Sequence, residues 1–426
     1  LTGHTDRLGR PIIAVTGMGV ITALGQGQAD NWASLAAGRS GLRRISRFPI
    51  DGLRTTVAGT VDFVPIDEMS APALSQRLAE LVIEEAVTEA AIGSQGDFPG
   101  PLFLALPPVE LEWTQRLALA AASGARGAVD YIDLIRAAEN GDFMRFYRRF
   151  LFGSVAEGLA ERFGTKGSPV STSTACASGG TAIQLGVEAI RRGETDVALC
   201  VGTDASVNPE SLIRFSLLSA LSTRNEPPSS AARPFSRDRD GFVMAEGAGA
   251  LVLESLDHAQ ARGARILGVL EGCGEAADGF HRTRSSPDGK PIIACMRNAL
   301  ADAGLASEDV DYINAHGTGT PENDKMEWVG ISAVFGERAG AIPISSNKSM
   351  IGHSLTAAGT IEAIFSLLTI RNGLLPPTIN YDFPDPALPL DCVPNVARPG
   401  HVRHAISNSF GFGGQNVCLV LGAEPS

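Results

Sequence analysis

The sequence predicts an α/β protein made of two similar halves, and two observations carry that expectation. Short apolar runs of strand character alternate through most of the chain with apolar positions at helical spacing. In addition, Ser171 to Gly193 (STSTACASGGTAIQLGVEAIRRG) is echoed by Lys348 to Gly373 (KSMIGHSLTAAGTIEAIFSLLTIRNG). Each passes from a polar turn through Ala and Gly into an apolar helix, ending with Ile190, Arg191 and Gly193 or with Ile370, Arg371 and Gly373. A Gly-Thr pair precedes the closing glycine by 13 residues in the first copy and 14 in the second.

In chain order, Pro11 to Val20 (PIIAVTGMGV) reads as a buried strand giving way to a turn at Gly17 and Gly19. That stretch lacks the third glycine of a dinucleotide-binding fingerprint and an acidic ribose partner, so no nucleotide cofactor is expected. Asp30 to Ala37 and Leu74 to Ile92 read as helices, and Leu102 to Leu106 as a strand. Val109 to Phe152 interleaves charges with Trp113, Tyr131, Phe143, Phe146, Tyr147 and Phe150, the pattern of an amphipathic helical excursion packed on the body and able to line a pocket. Ser168 to Ser173 is extended, Asp196 to Val201 a strand, Ser219 to Asp240 mostly loop, and Gly241 to Glu254 resumes strand character. A helix over Leu256 to Arg262 leads to a strand over Arg265 to Gly272, which opens the second half. The halves are thus residues 1–255 and 256–426. Pro291 to Gly304 is helical, and Val310 to Ala315 is a strand with His316 at its C-terminal end, where open α/β sheets place their chemistry.

Composition narrows the class. With 426 residues, 44% hydrophobic and 19% charged, the chain can bury a large core. A net charge of -12 argues against nucleic acid as a partner. Six cysteines without CxxC pairing suggest reduced thiols in the cytoplasm, not a disulfide frame or a zinc site. No apolar run is long enough to span a membrane, and Leu1 to Arg10 lacks an apolar signal core, so export is not expected.

Cys176 is the centre of the chemical argument. Ala175, Ala177, Ser178, Gly179 and Gly180 strip the bulk from around it, as a sharp turn requires. Ile183, Val187 and Ile190 then recur at helical spacing, which puts Cys176 at or near a helix N-terminus. Free N–H groups there favour thiolate over thiol. His316 (in AHGTGTPENDKMEW) and His353 (in NKSMIGHSLTAAG) sit in similarly small, turn-forming settings. If the halves are related by pseudo-symmetry, the turn with His353 faces the turn with Cys176. In Asn408 to Gln415 (NSFGFGGQ), glycines leave the Phe412 N–H free to pair with that of Cys176 as an oxyanion hole. A nucleophile, two imidazoles and an anion pocket suit chemistry on a thioester. Glu322 and Asp324 read as loop carboxylates, and no metal is expected.

These segments resemble the elongating β-ketoacyl-acyl-carrier-protein synthases, most of all the synthase II group, from about Ile12 to Leu421. The markers are TACASG, RPFSRDRDGFVMAEGAG, NAHGTGTPENDK, NKSMIGHSLTAAG, LPPTIN and NSFGFGG. The resemblance implies a thiolase-like fold with two pseudo-symmetric α/β halves forming a five-layered αβαβα core. It implies that Cys176 is acylated, that His316 and His353 act on the malonyl group, and that Lys348 supports the histidines with Glu362 as its partner and Glu327 as a second candidate. Phe412 would gate the acyl pocket, and Phe410 would move with the same loop. The implied reaction is ping-pong. An acyl chain passes from acyl carrier protein to Cys176, malonyl-carrier loses CO2, and the enolate attacks the acyl-enzyme without a cofactor. A homodimer is the implied assembly, and the alternative is a non-elongating, chain-length-determining partner subunit, although such subunits typically lack the cysteine. A thiolase would use a second cysteine near the C-terminus, but Cys418 lies in the apolar run Val417 to Leu421. Leu102 to Glu112 and the stretch to Phe152 depart from the family, which implies an unusual acyl preference. Because the implied carrier is acidic, docking would need a basic patch such as Arg145, Arg148 and Arg149.

Overall fold

The computed structural model describes residues 4–67, 69–93, 96–124, 127–139 and 141–423. Three residues of Leu1 to Arg10 and residues 125, 126 and 140 of the excursion therefore lie outside the described residues.

The main strands are β1 (Ile13–Thr22), β2 (Leu102–Ala105), β3 (Val170–Thr172), β4 (Val197–Asp204), β5 (Gly247–Ser255), β6 (Gly268–Ala277), β7 (Tyr312–Asn314), β8 (Ile344–Ser345), β9 (His404–Phe410) and β10 (Gln415–Gly422). They follow one path, β8-β7-β9-β10-β6-β1-β5-β4-β2-β3, with Gly25–Gln26 folded back on β1. The path divides at the β1–β6 contact into two sets of five with one pairing pattern. Outward from β1, the pairs with β5, β4, β2 and β3 run antiparallel, antiparallel, parallel and parallel. Outward from β6, the pairs with β10, β9, β7 and β8 repeat that order.

The helices are α1 (Gly27–Ala36), α2 (Ala71–Ala90), α3 (Trp113–Ala122), α4 (Tyr131–Glu139), α5 (Met144–Arg149), α6 (Ser154–Phe163), α7 (Ser178–Arg191), α8 (Pro209–Leu217), α9 (Leu256–Ala261), α10 (Lys290–Ala303), α11 (Pro321–Phe335), α12 (Lys348–Ile351) and α13 (Ala358–Asn372). Helices α7 and α13 touch each other and strands of both sets, α2 covers the first set, and α10 with α11 covers the second. The result is the layered thiolase-like core. Helix α13 is apolar all round because it lies at the centre, with Ala358 through Thr369 all buried. Its Ile361, Ile364, Phe365 and Leu368 pack with Ile183, Val187 and Ile190 of α7, each large side chain contributing about 1.5–3 kcal/mol by burial. No helix among the described residues is long and apolar enough to cross a membrane.

Two expectations are corrected here. Gly17 and Gly19 do not turn the chain, because β1 continues through both to Thr22. A Cβ at Gly17 would stand 2.0 Å from Ala86 O, and one at Gly19 2.0 Å from Val82 O, so these glycines let α2 lie against the strand. The internal repeat is offset by one residue from the Gly-Thr match. Each central helix follows a short 3-10 turn, Ala175–Ala177 or Leu355–Ala357, that begins with a left-handed residue, Ala175 (φ 50°) or Leu355 (φ 45°). The register is therefore 180 residues, and it pairs Gly179 with Gly359 and Gly193 with Gly373.

Candidate active site

Strand β3 delivers Cys176 into the first 3-10 turn, directly before α7. The left-handed conformation of Ala175 costs about 1–2 kcal/mol, and Ser178 braces it: its hydroxyl donates to Ala175 O at 2.6 Å and accepts from Thr174 N at 2.7 Å. The repeated turn brings in the second half. A Cβ at Gly359 would lie 2.4 Å from Gly180 N, so α7 and α13 start against each other with no side chain between them. This crossing places His353 Nε2 3.0 Å from Cys176 Sγ.

The backbone of His353 is held from outside the turn, donating to Val243 O at 2.7 Å and accepting from Ala245 N at 2.9 Å. Its Nδ1 accepts from Leu355 N–H at 3.3 Å. An amide can only donate, so in the neutral ring the proton resides on Nε2, the atom facing the sulfur. His316, just beyond β7, is fixed likewise, its Nδ1 lying 3.5 Å from the Lys348 ammonium. The two rings stand edge to face, 5.3 Å between centroids. Burial, helped by the Lys348 charge, holds both imidazoles well below the ordinary histidine range and therefore neutral.

Lys348 opens α12 and is buried in an ion pair with Glu362 of α13. Glu327, the second candidate for that partnership, is used elsewhere. It accepts from His316 N at 2.9 Å, Gly317 N at 2.7 Å and Asn408 Nδ2 at 3.1 Å, and so fixes the turn that carries His316. A carboxylate reaching back from α11 to two consecutive amides leaves no local sequence signal, so the motif could not separate the two glutamates. Asp324 is likewise a clamp, accepting from Phe235 N at 2.7 Å and Gly319 N at 3.1 Å.

The expected resting thiolate is also corrected. Burial pushes the Cys176 thiol up to about 11, despite the opposing Phe412 N–H and Lys348 charge. Asp204 and Glu362 add to the rise. A helix N-terminus offsets only part of the cost of charging a sulfur removed from water.

The Phe412 N–H faces the Cys176 sulfur. Gly411 allows that approach, since a Cβ there would lie 2.9 Å from Thr174 O and 3.3 Å from Ala177 N. Phe412 packs on Phe215 of α8, whereas Phe410 ends β9, buried, with its ring 5.8 Å from that of His316. Phe410 is thus a wall of the site set in a strand, not a member of the Phe412 loop. Cys176, His316, His353 and Phe412 line one cavity of about 460 Å3. Thr318 and Thr320 line it too, their hydroxyls 3.0 Å apart; the HGTGT motif contains them, but they read there only as turn residues. No described residue between Val109 and Phe152 lines this cavity; Arg145, Arg148 and Arg149 border a separate groove beside α2. Cys418 is buried in β10 within the outer core, away from the cavity.

Ligand atoms of Cys176, His316 and His353 lie within 4.8 Å of one another, close enough to consider a metal. The tautomers disfavour one. Coordination through Nε2 would move each proton to Nδ1, against the Leu355 amide or the Lys348 ammonium. What the arrangement brings together is a sulfur, two neutral imidazoles and the Phe412 N–H that faces the sulfur.

The comparisons with known proteins show the family. The N-terminal domain model of beta-ketoacyl synthase matches residues 11–73 and 107–259, and the C-terminal domain model matches residues 267–382. The chain is 36% identical over 417 residues to 3-oxoacyl-[acyl-carrier-protein] synthase 2 of Coxiella burnetii, covering 96% of this chain and 98% of that one. It is also 36% identical over 430 residues to the tetracenomycin polyketide synthase ketoacyl synthase alpha subunit of Streptomyces glaucescens, covering 99% and 98%. A solved structure, described as a type II PKS acyl-carrier protein in complex with its ketosynthase bound to the hexaketide, superimposes with a TM-score of 0.87 at 34% identity, covering 97% of this chain and 100% of that one. With both domain models matched across the cysteine and histidine turns, the chain belongs to the β-ketoacyl synthase family of condensing enzymes.

Proposed function

We propose that this protein extends a carrier-bound acyl chain by two carbons, with Cys176 as nucleophile. The Cys176 sulfur attacks the acyl thioester carbonyl, the oxyanion resting on the N–H groups of Cys176 and Phe412. The carrier thiol leaves with the proton that the cysteine gives up. Malonyl-carrier then binds, its C–CO2 bond breaks, and the electron pair remains as an enolate whose oxygen accepts from His316 and His353. The enolate carbon attacks the acyl-Cys176 carbonyl, and collapse of that adduct expels the Cys176 sulfur, which takes up a proton from water.

One observation carries this reading: His353 Nε2 lies 3.0 Å from the Cys176 sulfur, while the Leu355 N–H and the Lys348 ammonium face Nδ1 of His353 and of His316, which leaves each Nε2 to donate. Neutral N–H donors stabilise an enolate without protonating it outright. Lys348, paired with Glu362, keeps His316 in the donating tautomer, and Glu327 fixes the backbone beneath it. The presence of Cys176 speaks against a non-elongating partner subunit.

Acyl carrier protein is the proposed substrate carrier, and its docking face is proposed to include Arg145 and Arg148 at the groove beside α2, whose lining also holds Asp67 and the Arg77–Glu80 pair. A second copy of this chain is the proposed dimer partner. Strand β3 ends the sheet with Val170 exposed, and Trp113, Tyr131 and Tyr147 of the excursion are exposed as well, an open sheet edge and large side chains that a second copy could cover. The acyl preference is proposed to differ from that of a housekeeping synthase. Glu110 of the divergent segment pairs with Arg214 of α8, the helix whose Phe215 lines the cavity. The test is product analysis with acyl- and malonyl-carrier: a 3-oxoacyl product two carbons longer with the native chain and none with Cys176→Ala supports the proposal, and product from Cys176→Ala overturns it.

A further inference from the structure

The two halves use the start of their central helix differently. In the second half, Asp204 at the end of β4 fills that place: its Oδ2 lies 3.2 Å from Thr356 N and 2.7 Å from Thr356 Oγ1, while its Oδ1 accepts from Ser206 N at 2.9 Å. Thr356 stands at the position in its turn that Cys176 occupies in the other. In the first half no carboxylate among the described residues reaches the equivalent position; the Gly411–Phe412 loop faces the sulfur instead. One helix start is therefore closed by an internal acid, and the other is open to an incoming oxygen.

Asp204 is fully buried and forms no ion pair among the described residues. The Thr356 hydroxyl also lies 2.8 Å from Thr203 O. The Thr356 side chain is thus held between Thr203 O and Asp204 Oδ2. Burial raises the Asp204 carboxyl, and the hydrogen bonds from Thr356 and Ser206 oppose that rise. The anchor bears on the chemistry because Leu355, held left-handed directly before Thr356, supplies the amide that binds His353 Nδ1.

We propose that Asp204 is a positioning residue for the condensing reaction: by anchoring Thr356 it holds the Leu355 turn, which keeps the His353 proton on Nε2. The inference rests on the function proposed above. Asp204 touches neither substrate nor sulfur and acts through Leu355 and His353.

The test uses the full chain labelled with 15N at histidine, with His353 assigned by His353→Gln, and follows CO2 release from malonyl-carrier. Asp204→Ala is expected to shift the His353 ring nitrogens away from the Nε2–H pattern and to lower the rate of CO2 release by at least about tenfold, with KM little changed. Asp204→Asn, whose amide nitrogen cannot accept from Thr356 N while its oxygen accepts from Ser206 N, is expected to fall between Asp204→Ala and the native chain in both readouts. Thr356→Val, which leaves the acid in place, is expected to behave like Asp204→Ala, and Thr356→Ser like the native chain. These two decide the matter if Asp204→Ala does not fold. An unchanged His353 spectrum with unchanged CO2 release in folded Asp204→Ala or Thr356→Val overturns the inference. A native chain that releases no CO2 overturns the proposed reaction, and the nitrogen spectra still decide the role of Asp204.

Discussion

His353 Nε2 lies 3.0 Å from Cys176 Sγ, although 177 residues separate them in the chain. The contact exists because two copies of one turn-and-helix unit meet at glycines, Gly179 and Gly180 against Gly359. Each copy contributes one reacting group at the same end of its helix. The unit is thus both the centre of the fold and the source of the chemistry.

That crossing has no room for a side chain. Gly359→Ala would place a methyl 2.4 Å from Gly180 N and force the helix starts apart. A loss of about 1–3 kcal/mol in unfolding free energy is expected, together with a loss of condensing activity larger than the stability change explains. Denaturant titration and product formation on one preparation measure both.

With the Cys176 thiol pushed up to about 11, it is protonated at neutral pH in the free protein. Alkylation by iodoacetamide is therefore expected to accelerate about tenfold per pH unit between pH 7 and 9 without a plateau. A plateau by pH 8 would show that the helix start and the Phe412 amide outweigh burial.

The two half-reactions are separable. His316→Ala removes an enolate donor and leaves the sulfur and the amide pair in place. Decarboxylation of malonyl-carrier is expected to fall about 10²–10³-fold, while acylation of Cys176 continues. CO2 release and adduct formation, followed in parallel, check the separation.

How much of this was legible in the sequence varied with the range of the contacts. Cys176, His316, His353 and Phe412 were readable because each sits in its own small-residue turn, a local signal. The Lys348–Glu362 pair was readable only through the family resemblance. Gly17 and Gly19 misled because what they accommodate, the backbone of α2, lies some 70 residues away in the chain. The role of Glu327 and the protonation of Cys176 depend on long-range hydrogen bonds and burial, which no spacing rule encodes. The repeat was legible in its closing residues, Ile190, Arg191 and Gly193 against Ile370, Arg371 and Gly373, which share the 180-residue register of Ala175 and Leu355, whereas the Gly-Thr pairs fall one residue out of it.

The buried pair of Lys348 and Glu362 permits a stability test independent of turnover. Glu362→Ala strands an ammonium in the core and is expected to cost about 3–5 kcal/mol. Lys348→Met combined with Glu362→Leu removes both charges and is expected to recover most of that loss while remaining inactive. Thermal melts of the two variants check the first point, and condensation assays check the second.

The central claim is that the growing chain rests on one sulfur. Intact-protein mass spectrometry after mixing with acyl-carrier tests it most directly. The account predicts a single acyl adduct, mapped to Cys176, that persists until malonyl-carrier is added and then leaves as CO2 is released. No adduct with any acyl donor, or an adduct on another residue that discharges at the same rate, would contradict it.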